Sequence, residues 1–190
     1  ATDKKNEKDY ALKINLHIEN SASEAKTALL RVRVQSEKKK LLNWEIEVDL
    51  PPEKEVEVFG EEVIQAPREW HGVEDPFLHQ LKAELLVDGE VVDTREVNFG
   101  IRDIVITAVQ RVFLNGEPIR LNGVSRHQDF GEVGTAITRE MMETDIGLIA
   151  EMGANMVRLS HYQHDDYFYE LCDRAGLLVW TEIPFNTFPT

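Results

Sequence analysis

The chain has 190 residues, 42% of them hydrophobic, and a formal net charge of −14. That charge opposes docking on nucleic-acid phosphates or anionic lipid, which both call for clustered Lys and Arg. No run of about 18 or more apolar residues is present, so no membrane-spanning helix is expected.

The first residues, ATDKKNEKDY, lack an initiator Met and the apolar core of a signal peptide. They read as a cut or processed end, and residues 1–9 are expected to be disordered or tag-like. From residue 10 to about 100 the pattern has period two. Leu12, Ile14, Leu16 and Ile18 alternate with Lys13, Asn15, His17 and Glu19. Leu30, Val32 and Val34 do the same, as do Trp44, Ile46 and Val48, then Val56 and Val58, then Leu81, Ala83, Leu85 and Val87. Such alternation predicts antiparallel strands with one dry and one wet face. Pro51-Pro52 marks a connection and Asp88-Gly89 a tight turn. The basic run Lys38–Lys40 is expected at a solvated loop tip. About seven short strands with regular turns describe an immunoglobulin-like β-sandwich over residues 10–102. Trp70, in an irregular segment before Pro76, is expected to plug the end of that sandwich.

After Phe99-Gly100 the pattern changes. Residues 101–117, with an Asn115-Gly116 turn, fit a small hairpin. A strand is then expected over Ile119–Asp129, with Arg126, His127 and Asp129 arriving at its end. Thr138 is a suitable N-cap for a helix carrying Met141, Met142, Ile146, Leu148, Ile149 and Met152 at helical spacing, and the methionines are expected in the core. A second strand, Asn155–Ser160, ends in His161 and Tyr162. A second helix, about Asp165–Ala175, stops at Gly176, which suits a left-handed cap. Cys172, the single cysteine, lies on its apolar face, where a packed thiol is expected; no internal disulfide is possible and the compartment stays open. A third strand, Leu177–Thr181, ends in Glu182. The strand–helix repeat implies a parallel sheet with functional groups at the carboxyl ends of its strands. Three strands cannot close an eight-stranded barrel; if residues 103–190 belong to a TIM (β/α)8 barrel, they are its N-terminal part and most of it is missing.

Three chemistries fit the strand ends. Asp129 and Glu182 could be paired carboxylates, although nothing in the spacing brings them together, and Glu182 could simply bind Arg158. His161, His164 and Asp165, with His127, offer metal-ligand types at loose spacing in a turn, and no metal or other cofactor is expected. The favoured reading makes the imidazoles hydrogen-bonding partners of a polyol. Gly131-x-x-Gly134 lacks the GK[ST] partner of a phosphate loop.

The stretch Asn155–Trp180, NMVRLSHYQHDDYFYELCDRAGLLVW, closely resembles the signature of glycoside hydrolase family 2, the β-galactosidase and β-glucuronidase family. The matching residues are Asn155, Arg158, Ser160-His161-Tyr162, Phe168-Tyr169, Asp173 and Gly176. Upstream, LNGVSRHQD resembles the segment of the family's first barrel strand, and FGIRDI the exit from its sandwich. Leu159, Gln163, Ser125 and Gln128 depart from the family pattern, which bears on sugar preference. The resemblance implies a retaining exo-glycosidase for terminal β-linked sugars, β-galactosidase-like, with β-glucuronidase and β-mannosidase as alternatives. It implies that His127, Asp129 and His161 bind the sugar, with Arg158 and Glu182 in support. It places the catalytic acid/base after the fourth barrel strand and the nucleophile after the seventh, so the chain is expected to be an inactive internal fragment holding neither. The expected partner is a carbohydrate in the intact enzyme, not nucleic acid or membrane, and exposed apolar faces suggest a homo-oligomer. A non-catalytic immunoglobulin-like interaction module is the rival reading.

Overall fold

Alternating apolar residues build the first half of the chain into strands, as the computed structural model shows. It describes residues 1–37 and 39–184; Lys38 of the basic run and residues 185–190 of the expected barrel segment lie outside the described residues. Two units result, one from residues 1–69 with 78–101, the other from 70–77 with residues from 102 on.

The first unit holds β1 (Thr2–Lys4), β2 (Asp9–Asn20), β3 (Lys26–Ser36), β4 (Lys39–Leu50), β5 (Lys54–Gln65), β6 (His79–Val87) and β7 (Glu90–Phe99). They form two antiparallel sheets, ordered β1-β2-β5 and β4-β3-β6-β7. Of the residues expected to face inward, Leu12, Ile14, Leu30, Val32, Val34 and Val48 are buried in one core with Tyr10, Leu42 and Ile64, whereas Ile46 is exposed. Gly60 makes room in that core, since a Cβ there would lie 1.9 Å from the Trp44 ring. Asp88 and Gly89 both have positive φ, 54° and 83°, as a two-residue hairpin between twisted strands requires. The N-terminal residues correct an expectation: they are not a loose tag, because Thr2–Lys4 pairs with β2. Of the basic run, Lys39 and Lys40 already belong to β4.

The second unit opens with a three-stranded antiparallel meander, β8 (Ile104–Ile106), β9 (Val112–Leu114) and β10 (Glu117–Ile119). Asn115 and Gly116, φ 53° and 89°, make the expected turn. Then come β11 (Gly123–Arg126), α1 (Arg139–Glu151), β12 (Met156–Leu159), α2 (Asp166–Ala175) and β13 (Leu178–Thr181). The strands are parallel in the order β11-β12-β13. The strand expected over Ile119–Asp129 is in fact two elements, because Ile119 pairs with Val112 in the meander and the parallel strand begins at Gly123.

Thr138 caps α1 by accepting from Met141 N, and Gly176 ends α2 with φ 75°. The helices cover one face of the sheet around Met142, Ile149, Val157, Leu159, Phe168 and Cys172. Of the methionines expected inside, Met142 is buried, but Met152 is 70% exposed. The helix stripe is narrower than the sequence suggests. Cys172 is fully buried, and desolvation pushes its thiol up to about 12.

Trp70 is buried, but not as a plug of the sandwich. Residues 70–77 belong to the second unit, where the indole Nε1 donates to Asp173 O at 2.9 Å and Arg102 stacks 4.9 Å from the ring centre. The segment passes so close to the cap of α2 that a Cβ on Gly176 would lie 2.3 Å from the Gly72 carbonyl.

Candidate functional site

Parallel pairing aligns Arg126 with Leu159 and Leu159 with Thr181. The three strands therefore finish level, and the loops that follow them rise from one rim. His127 follows β11, His161 follows β12 by one residue, and Glu182 follows β13 directly. The rings of His127 and His161 meet edge-to-face with centroids 5.4 Å apart. The Ser160–His161 peptide is cis. A cavity of about 240 Å³ lined by His71, Glu74, Asn155 and Leu178 lies at the opposite, amino ends of the strands.

Arg158 points to the sheet face away from the helices, as its register neighbours Ser125 and Trp180 do. Its Nε and Nη2 donate to the two carboxylate oxygens of Glu182 at 2.8 and 3.1 Å. Glu182 Oε2 also lies 2.9 Å from His161 Nδ1. Arg158 Nη2 approaches the same nitrogen at 3.1 Å. One ring nitrogen cannot serve both, since Arg only donates and a carboxylate only accepts. The guanidinium is already satisfied by the fork on Glu182, so Nδ1 carries the proton and donates to the carboxylate. Hydrogen bonds from Arg158 first, and then His161, hold the Glu182 carboxyl below its ordinary range. His161 is left with Nε2 for another molecule, on a side chain 42% exposed.

Asp129 is exposed and makes no hydrogen bond or ion pair among the described residues. The structure thus brings together His127, His161, Arg158 and Glu182, and leaves Asp129 free on the loop. The ligand types considered for a metal do not converge. No group of three or more His, Cys, Asp and Glu suited to a cation occurs among the described residues, and His164 is buried against Arg126.

Several hydrogen bonds that shape this rim could not be read from the sequence. Gln128 N donates to Tyr162 Oη at 3.1 Å, and Asp165 N donates to Gln128 Oε1 at 2.6 Å. Gln163 Nε2 donates to Thr181 Oγ1 at 3.2 Å. These side chains join loops 18 to 37 residues apart, so only the fold brings them into register.

Comparison with known proteins gives this site its context. Residues 1–102 match the model for "Glycosyl hydrolases family 2", and residues 104–190 match "Glycosyl hydrolases family 2, TIM barrel domain". A β-glucuronidase of Bacteroides fragilis is 43% identical over 123 residues, covering 65% of this chain and 18% of that protein. A β-galactosidase of Thermoanaerobacter pseudethanolicus is 34% identical over 133 residues, covering 70% of this chain and 18% of that protein. The structure of Bacteroides uniformis β-glucuronidase 2, covalently bound to cyclophellitol-6-carboxylate aziridine, superposes with a TM-score of 0.91 at 31% identity. It covers 97% of this chain, which spans 22% of that structure. Each match therefore spans less than a fifth of these two curated relatives. A sandwich followed by the opening strands and helices of a TIM barrel, with paired imidazoles at the strand ends and both family models matched in order, makes this chain a member of glycoside hydrolase family 2.

Proposed function

We propose that this chain is the part of a retaining exo-glycosidase in which His127, His161 and Asp129 contact the terminal β-linked sugar, while Arg158 and Glu182 hold the rim beneath it. The observation that carries the reading is the pairing of His127 with His161, 5.4 Å apart at the ends of adjacent parallel strands. Two imidazoles at that separation can address neighbouring hydroxyls of one pyranose, and the Glu182 carboxylate fixes how one of them faces. The sandwich takes residues 1–69 with 78–101, and the barrel segment belongs to the second unit. A β-galactoside is the first substrate to test and a β-glucuronide the second, since relatives of both names match.

Hydrolysis with retention needs a carboxylic acid and a carboxylate nucleophile about 5–5.5 Å apart, and it passes through a covalent glycosyl-enzyme. The covalent adduct of the Bacteroides uniformis enzyme fits that chemistry. The family pattern puts both groups after the fourth and seventh strands, whereas the described parallel sheet has three. The isolated 190-residue chain is accordingly inactive. In the full-length protein, His161→Ala lowers kcat/KM on a nitrophenyl β-galactoside or β-glucuronide by about a hundredfold. Turnover by the isolated chain, or unchanged kinetics in the variant, would overturn this assignment.

A further inference from the structure

Beneath the two exposed histidines lies a second, buried set of polar groups. Arg126, the last residue of β11, is 7% exposed. Its Nε donates to Asp145 Oδ2 of α1 at 2.8 Å, and its guanidinium carbon sits 3.9 Å from the centre of the Phe168 ring in α2. Its Nη1 lies 2.9 Å from His164 Nδ1. His164 is 5% exposed, and its Nε2 lies 3.3 Å from Ser160 O.

Because a guanidinium has no acceptor, Nδ1 of His164 must be unprotonated, and the ring proton sits on Nε2, where it donates to Ser160 O. Only the neutral ring with that tautomer satisfies both contacts. Arg126 directly precedes His127, and the His164 bond ends on the residue directly preceding His161. The buried pair thus ties together the backbones that carry the two exposed imidazoles. The amides of Gln128 and Asp165 close the same two loops above it, on Tyr162 and on Gln128.

We propose that Arg126 and His164 are positioning residues: a buried guanidinium–imidazole latch that sets the separation of His127 and His161. This deepens the glycosidase reading in one respect, that the positioned histidines bind sugar. The latch itself follows from the buried geometry.

The latch should open in acid. The groups facing His164 are Arg126 from β11 with Asp145 of α1 behind it, His127 on the loop after β11, Tyr162 at 5.2 Å between ring centres, and Phe168 at 6.2 Å. Burial, then the nearby Arg126 and His127, push the His164 pKa below its ordinary value, while the Ser160 carbonyl pulls the other way. A depressed imidazole contributes stability that is present above its unfolded value of about 6.5 and lost as pH falls through the folded one.

The test uses the full-length protein and three forms: wild type, His164→Gln and His164→Phe. An amide side chain offers Arg126 an acceptor and Ser160 a donor without titrating, whereas phenylalanine keeps the ring and offers neither. Hydrogen exchange of the peptides spanning 127–129 and 161–165 is followed by mass spectrometry. Exchange should rise about tenfold in both peptides together in H164F and stay near wild type in H164Q. In kinetics on the nitrophenyl glycosides, H164F should lose about tenfold in kcat/KM. Wild-type KM should rise as pH falls below the ordinary histidine value, about 6.5, and H164Q should lack that rise. Wild-type exchange in H164F, or equal behaviour of the two variants, would overturn the latch. Faster exchange with unchanged kcat/KM would overturn its link to the sugar histidines. A wild-type protein that cleaves neither glycoside overturns the functional reading alone, and the exchange data still decide the latch.

Discussion

Two histidines three residues apart carry their protons on opposite nitrogens. His161 donates from Nδ1 to Glu182, and His164 donates from Nε2 to Ser160 O while accepting at Nδ1 from Arg126. The partner decides in each case: an acceptor-only carboxylate draws the proton, and a donor-only guanidinium repels it. Glu182 and His164 also respond to acid from different starting points. Glu182 is a depressed carboxyl, so what it contributes is present above its ordinary value, near 4.3, and lost as pH falls through the lower folded one. Acid loss of function that sets in above the ordinary carboxylate range therefore belongs to His164 and not to Glu182. Glu182→Gln in the full-length protein should raise KM about tenfold across the whole pH range, as the amide can no longer hold Arg158 and His161 together; steady-state kinetics at pH 5 and pH 7 check this. His127, His161 and Glu182 could be placed at the rim from the sequence because each sits just past the end of an apolar run, whereas the supporting role of Arg158, inside β12, came from the family resemblance. His164 could not, since the group that fixes its role is 38 residues away.

At the level of elements, the helix caps show how much a glycine can conceal. Gly153 follows α1 with φ 72° and open space around it, whereas Gly176 follows α2 with φ 75° and the Gly72 backbone against it. Backbone conformation gives the same reason for both, a left-handed residue closing a helix. Only the fold adds the second constraint on Gly176. Gly153→Ala should cost about 1 kcal/mol, the ordinary penalty for a left-handed alanine. Gly176→Ala should cost about 3 kcal/mol or more, because backbone must also move. Midpoints of urea unfolding for the two variants give the comparison, and equal shifts would show that the close approach costs nothing. The split of the expected Ile119–Asp129 strand has a similar origin. Apolar alternation does not reveal that Ile119 pairs backwards with β9 while Val124 pairs forwards with β12. Periodicity identified α1 but overstated its buried face, because a single stripe cannot show how far the sheet beneath it extends.

For the molecule as a whole, strand periodicity gave the sandwich and the strand–helix alternation gave the parallel sheet, since both patterns follow from which faces are dry, whereas the barrel came from the family resemblance. The three-stranded parallel sheet is covered on its helix face, while Trp180 on the other face is 55% exposed. Val105, Ile106, Val109 and Ile183 are also exposed. Apolar area of this kind favours association, and the isolated chain should appear as a dimer or larger species by light scattering; a monodisperse monomer would refute this. Trp70 was misplaced because its size announces burial without naming a partner. Its bond to Asp173 spans 103 residues of sequence. During synthesis the indole thus leaves the ribosome long before its acceptor exists, and it stays wet until α2 has been made. Dividing the gene near residue 102, where one family segment gives way to the next, would strand that indole permanently on the wrong fragment.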